Sequence, residues 1–139
     1  MKFIVEGKPQ GKARARTFYN KRMGKMQSIT PEQTKSYEDL IRWSYKAAGG
    51  EYMGEKVLQV DITAVYPIPK SYSKKKQSDA LADRLRPTVK PDCDNIIKIV
   101  LDALNGVAYY DDKQVVSVSC NKYYGGRGYL GVKIEELKI

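Results

Sequence analysis

Between Val57 and Tyr66 the apolar residues Leu58, Val60, Ile62, Ala64 and Tyr66 alternate with Gln59, Asp61 and Thr63. This is the period of a strand with one buried face, and Pro67 and Pro69 end it. A different period runs through Ile97, Val100, Leu101 and Leu104, spaced i, i+3, i+4, i+7. It predicts an amphipathic helix over NIIKIVLDALNG, capped by Asp94 or its neighbour and stopped at Gly106. Thr30, Pro31 and Gln33 spell an N-cap, a first-turn proline and a capping-box partner. Tyr37, Leu40, Ile41 and Tyr45 then keep helical spacing, with Trp43 on a flank, so residues 31–48 are predicted helical up to Gly49-Gly50.

The remaining segments are shorter or more polar. KFIVEG reads as a strand, and GKPQGKARARTFYNKRMGKM, with no sustained apolar period, as a basic loop with room for a short hairpin. SYSKKKQSDALADRL carries a polar helix whose weak apolar side is Ala80, Leu81 and Leu85. Pro87 and Pro91 hold TVK extended, leaving Asp92 at the end of that segment. Residues 114–124 and 129–139 are β-type runs joined by GGRG, read as a hairpin connection. The order strand, helix, strand, helix, helix, strand, strand predicts an α+β (mixed α/β) fold: residues 1–139 as one small domain, a mixed sheet with two to three helices packed on it.

Composition narrows the chemistry. None of the 139 residues is histidine, which excludes Ser-His and Cys-His nucleophile pairs, His-ligated zinc and imidazole acid–base steps within the chain. Only Cys93 and Cys120 are thiols, without CxxC spacing, which fits a reducing compartment. No apolar run reaches the ~18–20 residues of a membrane span, and MKFIVEGKPQ lacks a long apolar signal region, so a cytoplasmic protein without a membrane partner is expected. The net charge of +9 favours a polyanion over a small-molecule substrate. Lys2, Lys8, Lys12, Arg14, Arg16, Lys21, Arg22 and Lys25 face Glu6 alone, and Lys70, Lys74, Lys75, Lys76, Arg84, Arg86 and Lys90 form a second basic stretch. Lys12, Arg14 and Arg16, then Lys74, Lys75 and Lys76, are the expected phosphate contacts.

Between these stretches the sign reverses: Asp92, Asp94, Asp102, Asp111 and Asp112 face only Lys98. Clustered carboxylates repel one another, and a divalent cation neutralises them while binding a phosphate oxygen. In an extended chain Asp92 and Asp94 point the same way and bracket one cation, and Lys98 stands a turn above Asp94 on the helix, with Asp102 a turn beyond. The chain after Gly106 is expected to return a third carboxylate, from Asp111 or Asp112, to that pair. Alone, each aspartate is as readily a helix cap or turn residue. Other aspartate motifs fail: a calcium loop from Asp92 has Ile97 where glycine belongs and Ala103 where glutamate belongs, and the DxDxT pattern has Ile96 in place of threonine.

KPDCDN, Lys98, DALNG and DDKQV together resemble the signature of the RusA family of Holliday-junction resolvases, small basic proteins of bacteria and prophages. The resemblance is densest over residues 90–115, and the N-terminal strand with VEGKPQGKARAR and the expected C-terminal hairpin extend it over most of the chain. It implies that Asp92, Asp94 and Asp112 bind Mg²⁺ (Mn²⁺ as a substitute), with Asp111 as a supporting group, and that Lys98 is needed for cutting. It also implies a homodimer that makes paired nicks in four-way junction DNA, with no organic cofactor. Two readings compete: a non-catalytic basic accessory protein of recombination, and a less selective metal-dependent nuclease acting on flaps or single strands.

Overall fold

The alternating run becomes the centre of the sheet because its apolar face is the longest in the chain. The computed structural model describes residues 1–13, 16–29 and 31–139. Its elements are β1 (Lys2–Glu6), β2 (Arg16–Asn20), β3 (Lys25–Ile29), α1 (Glu32–Ala47), β4 (Leu58–Pro67), α2 (Lys74–Leu81), α3 (Cys93–Leu104), a 3-10 turn at Asp112–Gln114, β5 (Val115–Gly125) and β6 (Tyr129–Glu136). A four-stranded sheet has the order β1-β6-β4-β5, and β2 and β3 form the short hairpin expected in the basic loop. In that sheet β4 and β5 are parallel, and β1/β6 and β4/β6 are antiparallel. The α+β fold with a mixed sheet and three helices is therefore as expected, and among the described residues no helix is long and apolar enough to cross a membrane.

The core lies on one side of the sheet. Leu58, Val60, Ile62, Ala64 and Tyr66 of β4 meet Phe3, Val5, Leu130, Val132 and Ile134 from the neighbouring strands, and Tyr37, Ile41 and Tyr45 of α1 with Ile96, Ile99, Val100, Ala103 and Leu104 of α3 cover them. Each fully buried aliphatic side chain stabilises the fold by about 1.5–3 kcal/mol. The face of α3 differs from the expected one: Ile96, Ile99, Val100 and Ala103 are buried, while Ile97 and Leu101 are half-buried. IIKIVLDAL is apolar over so wide an arc that two frames satisfy i, i+3, i+4, i+7, and packing against β4 selects one. In α1, Leu40 is exposed where burial was expected, and Thr34, Glu38 and Ser44 are buried in the arc beside Tyr37, Ile41 and Tyr45.

Three further expectations change. Pro31, with extended ψ, is itself the N-cap of α1 and makes no side-chain cap, so the helix starts at Glu32; Thr30, the expected cap, lies outside the described residues. Asp92 rather than Asp94 caps α3, accepting the Asn95 N–H at 2.9 Å, and this starts the helix at Cys93. Finally, β5 and β6 do not pair, because β4 lies between them. The GGRG segment crosses over the end of β4: a Cβ on Gly125 would stand 2.6 Å from the Val65 side chain, and one on Gly128 would stand 2.8 Å from Lys8 and 3.1 Å from Pro67. Glycine at those two positions lets the backbone pass that close.

Candidate active site

Parallel strands need a crossover, and α2 and α3 supply it between β4 and β5. α3 therefore runs back against the strands, with its N-terminus at their carboxyl ends, where α/β crossovers usually place ligands. Three contacts pin that end. The Tyr66 hydroxyl donates to the Pro91 carbonyl at 2.6 Å, the Cys93 thiol donates to the Cys120 carbonyl at 3.5 Å, and Lys122 Nζ donates to the Val89 carbonyl at 2.6 Å. The crowding is visible in proton affinities: burial and then Cys93 push the Cys120 thiol up to about 12, and burial raises the Tyr66 phenol further, with Asp92 adding to it.

On this platform Asp92 and Asp94 are both exposed. One oxygen of Asp92 is committed to the cap, and Asp94, in the first helical turn, has no protein partner among the described residues. Because α3 begins at Cys93, the two carboxylates do not share the face of an extended chain; they stand on successive positions around the helix start. Lys98, one turn on, is exposed and makes no ion pair among the described residues, which leaves its ammonium available to an anion.

The other acidic groups gather at the opposite end of α3. Tyr109 is fully buried with its hydroxyl donating to the Leu101 carbonyl, and it draws the following turn against the end of the helix. Asp111 caps that turn, accepting from the Lys113 N–H at 3.2 Å, while its own N–H donates to Gln114 Oε1 at 2.9 Å. The Lys113 N–H and the adjoining Asp112 hold Asp111 below the usual aspartate range, whereas hydrogen bonding with Asp111, then burial and the charges of Asp111 and Asp102, raise Asp112. Burial and the same three carboxylates, Asp112 first, raise the Tyr109 phenol. Asp102 does not pair with Lys98: Lys12 Nζ lies 3.4 Å from it and 3.1 Å from Glu38.

The expected closure of Asp112 onto the Asp92–Asp94 pair is thus not made inside one chain. Ten residues of helix, about 15 Å at 1.5 Å per residue, separate Asp92 from Asp102. Among the described residues no three carboxylates or thiols stand together as a cation site. The donor set at each end is nonetheless all oxygen and partly solvated, the chemistry of a hard divalent cation.

Of the expected phosphate contacts, Lys74, Lys75 and Lys76 are exposed on α2, started by Ser73, whose side chain accepts the Lys76 N–H. Lys12 is instead held between α1 and α3 by Glu38 and Asp102, and its N–H donates to the Asn95 carbonyl at 3.2 Å. Gly11 beside it lies so close to the motif that a Cβ would stand 2.9 Å from both Asn95 and Pro91. The segment around Lys12 is a strap over α3. Arg14 and the side chain of Arg16 lie outside the described residues. Sequence reasoning missed this strap, whose signal was a glycine next to a lysine in a loop without apolar period.

Two exposed carboxylates, and a lysine without an ion pair among the described residues, thus stand at the start of α3 in a basic chain without histidine. The family model of Endodeoxyribonuclease RusA matches residues 6–135, nearly the whole chain. The chain belongs to the RusA family of endodeoxyribonucleases, Holliday-junction resolvases, and its partner is DNA. It is also 35% identical over 139 residues to "Uncharacterized protein YqaN" from Bacillus subtilis (strain 168), an alignment that covers 99% of this chain and 96% of that protein.

Proposed function

We propose that residues 1–139 form one RusA-like endodeoxyribonuclease domain that resolves four-way junctions in the cytoplasm by paired, Mg²⁺-dependent nicks, with Mn²⁺ as a substitute. The observation that carries this reading is the exposed Asp92–Asp94 pair at the start of α3, with Lys98, unpaired among the described residues, one turn away. Asp92, Asp94 and Asp112 hold the metal, and Asp111, committed to capping its turn, supports Asp112. The bound metal would neutralise charge on the scissile phosphate and lower the proton affinity of attacking water. Lys98 faces the same anion and stabilises the negative charge that develops during cleavage.

Because one chain keeps Asp92–Asp94 and Asp111–Asp112 at opposite ends of α3, the full ligand set needs a second copy. In a two-fold dimer with antiparallel α3 helices, the start of each helix meets the end of the other, and both sites are completed at once. The flank of α3 supports such a contact: Ile97 and Leu101 are half-buried there, beside a β5 edge on which Val116 and Val118 are 58% and 42% exposed. Two sites related by a two-fold axis also match the symmetry of a four-way junction.

The test is to incubate the purified protein with a labelled four-way junction, a linear duplex and a flap, with and without Mg²⁺. Symmetric nicks confined to the junction and dependent on metal are expected. Equal cutting of all three would replace the junction reading with that of a general nuclease, and metal-independent binding without nicks would make the chain an accessory protein.

A further inference from the structure

Next to the start of α3 lies a cavity of about 430 Å³ whose lining includes Tyr66, Pro67, Pro69, Tyr72 and Tyr124. Its walls are flat and apolar, and its size falls within the range that holds small organic ligands. Tyr72 and Tyr124 meet edge to face with centroids 6.0 Å apart and hydroxyls 3.1 Å apart, so the two rings brace each other. Burial and the Tyr72 hydroxyl push the Tyr124 phenol up to about 12. The charged residues of the lining are both lysines: Lys8 and Lys70 stand at exposed positions, and Lys76 Nζ sits 4.0 Å from the Tyr72 ring centroid. The cavity is coupled to the acidic pair, since Tyr66 is the wall residue that holds the Pro91 carbonyl next to Asp92.

Aromatic and proline walls under a lysine rim match a planar base carried on a phosphate chain. We propose that this cavity is a nucleobase subsite: it takes one base turned out of its pair at the branch point of the DNA, stacked against Tyr72 and Tyr124, while Lys8 and Lys70 hold the adjoining phosphates. This rests on the nuclease reading above and adds a source of junction selectivity, because stacking is interrupted at a branch point and a base there is turned out at less cost than one inside a continuous duplex. A base held there sets the strand's position beside Asp92 and Asp94 without touching the reacting phosphate.

The experiment places 5-iododeoxyuridine at the branch point of a four-way junction and, separately, in the paired interior of a linear duplex, with Ca²⁺ replacing Mg²⁺ to separate binding from cutting. On irradiation the junction is expected to cross-link to Tyr72 or Tyr124, mapped by peptide mass, and the duplex is not. In parallel, Tyr72→Ala should weaken junction binding roughly tenfold while duplex binding changes less than about twofold, and Tyr72→Phe should bind like the wild type. Cross-links only at other residues, equal losses on junction and duplex, or a Tyr72→Phe variant as weak as Tyr72→Ala with an unchanged circular-dichroism spectrum would each overturn the subsite. A wild-type protein that cross-links as expected but never nicks with Mg²⁺ would refute the nuclease reading and leave the subsite standing; one that binds neither DNA refutes both.

Discussion

Asp92 serves two purposes that a sequence motif does not separate. One oxygen caps α3 and so sets where the helix begins, and the proposed cation would take the other. Asp94 makes no cap and would have only the second role, which makes it the cleaner probe. Asp94→Asn is expected to remove cutting while junction binding stays within a few fold and the circular-dichroism spectrum is unchanged; loss of binding and fold together would make Asp94 structural. At the other end of α3, the raised proton affinity of Asp112 predicts a pH effect with a definite sign. Between the ordinary aspartate value and the raised one, the folded state holds a proton there that the unfolded state has released. Its stabilising contribution is full below the ordinary aspartate value of 3.8 and is lost as pH rises through the raised value, leaving ionised Asp111, Asp112 and Asp102 to repel one another. In chelator-treated buffer, Asp112→Asn should therefore raise the thermal midpoint at neutral pH by about 1–3 °C and lose that advantage on acidification. A variant less stable than the wild type at pH 7 would contradict this.

At the level of elements, the basic charge divides into two kinds. Lys74, Lys75 and Lys76 project from α2, whereas Lys12 belongs to the strap that ties the N-terminal segment to α1 and α3. Neutralising Lys74 and Lys75 together should flatten the salt dependence of junction binding by roughly one unit of slope per lost phosphate contact. Lys12→Met should leave the slope unchanged and lower the thermal midpoint, because it strands the buried carboxylate of Glu38 and the half-buried one of Asp102. The reverse pattern in a salt titration of the two variants would return Lys12 to the DNA surface and remove α2 from it.

The molecule as a whole has a one-sided sheet, a crossover helix, and acidic groups at both ends of that helix. If two copies complete each site, two inactive variants can rescue one another. In a mixture of Asp94→Asn and Asp112→Asn protomers, half of the sites in each heterodimer carry both substitutions and the other half carry neither. Renatured together, the variants should regain single nicks in junctions but not paired ones, while each alone stays inactive. A mixture as inactive as its components would place the whole ligand set within one chain and end the shared-site reading.

Much of this protein was legible without coordinates. The period-two run marked β4, the glycine stops marked where α1 and α3 end, and KPDCDN to DDKQV marked the family, because local period and turn chemistry are properties of neighbouring residues. The frame of α3 was not legible, since two apolar arcs of nearly equal strength compete until β4 covers one of them. Nor was the separation of β5 from β6, because a glycine-rich link is compatible with a tight hairpin and with a crossing over another strand. The return of Asp111–Asp112 to the far end of α3, and the commitment of Lys12 to Glu38 and Asp102, depend on contacts between residues distant along the chain. Those contacts arise from the packing of α1, α3 and the strap against one sheet. The sequence by itself determined which groups could do the chemistry; tertiary packing decided which of them one copy can bring together.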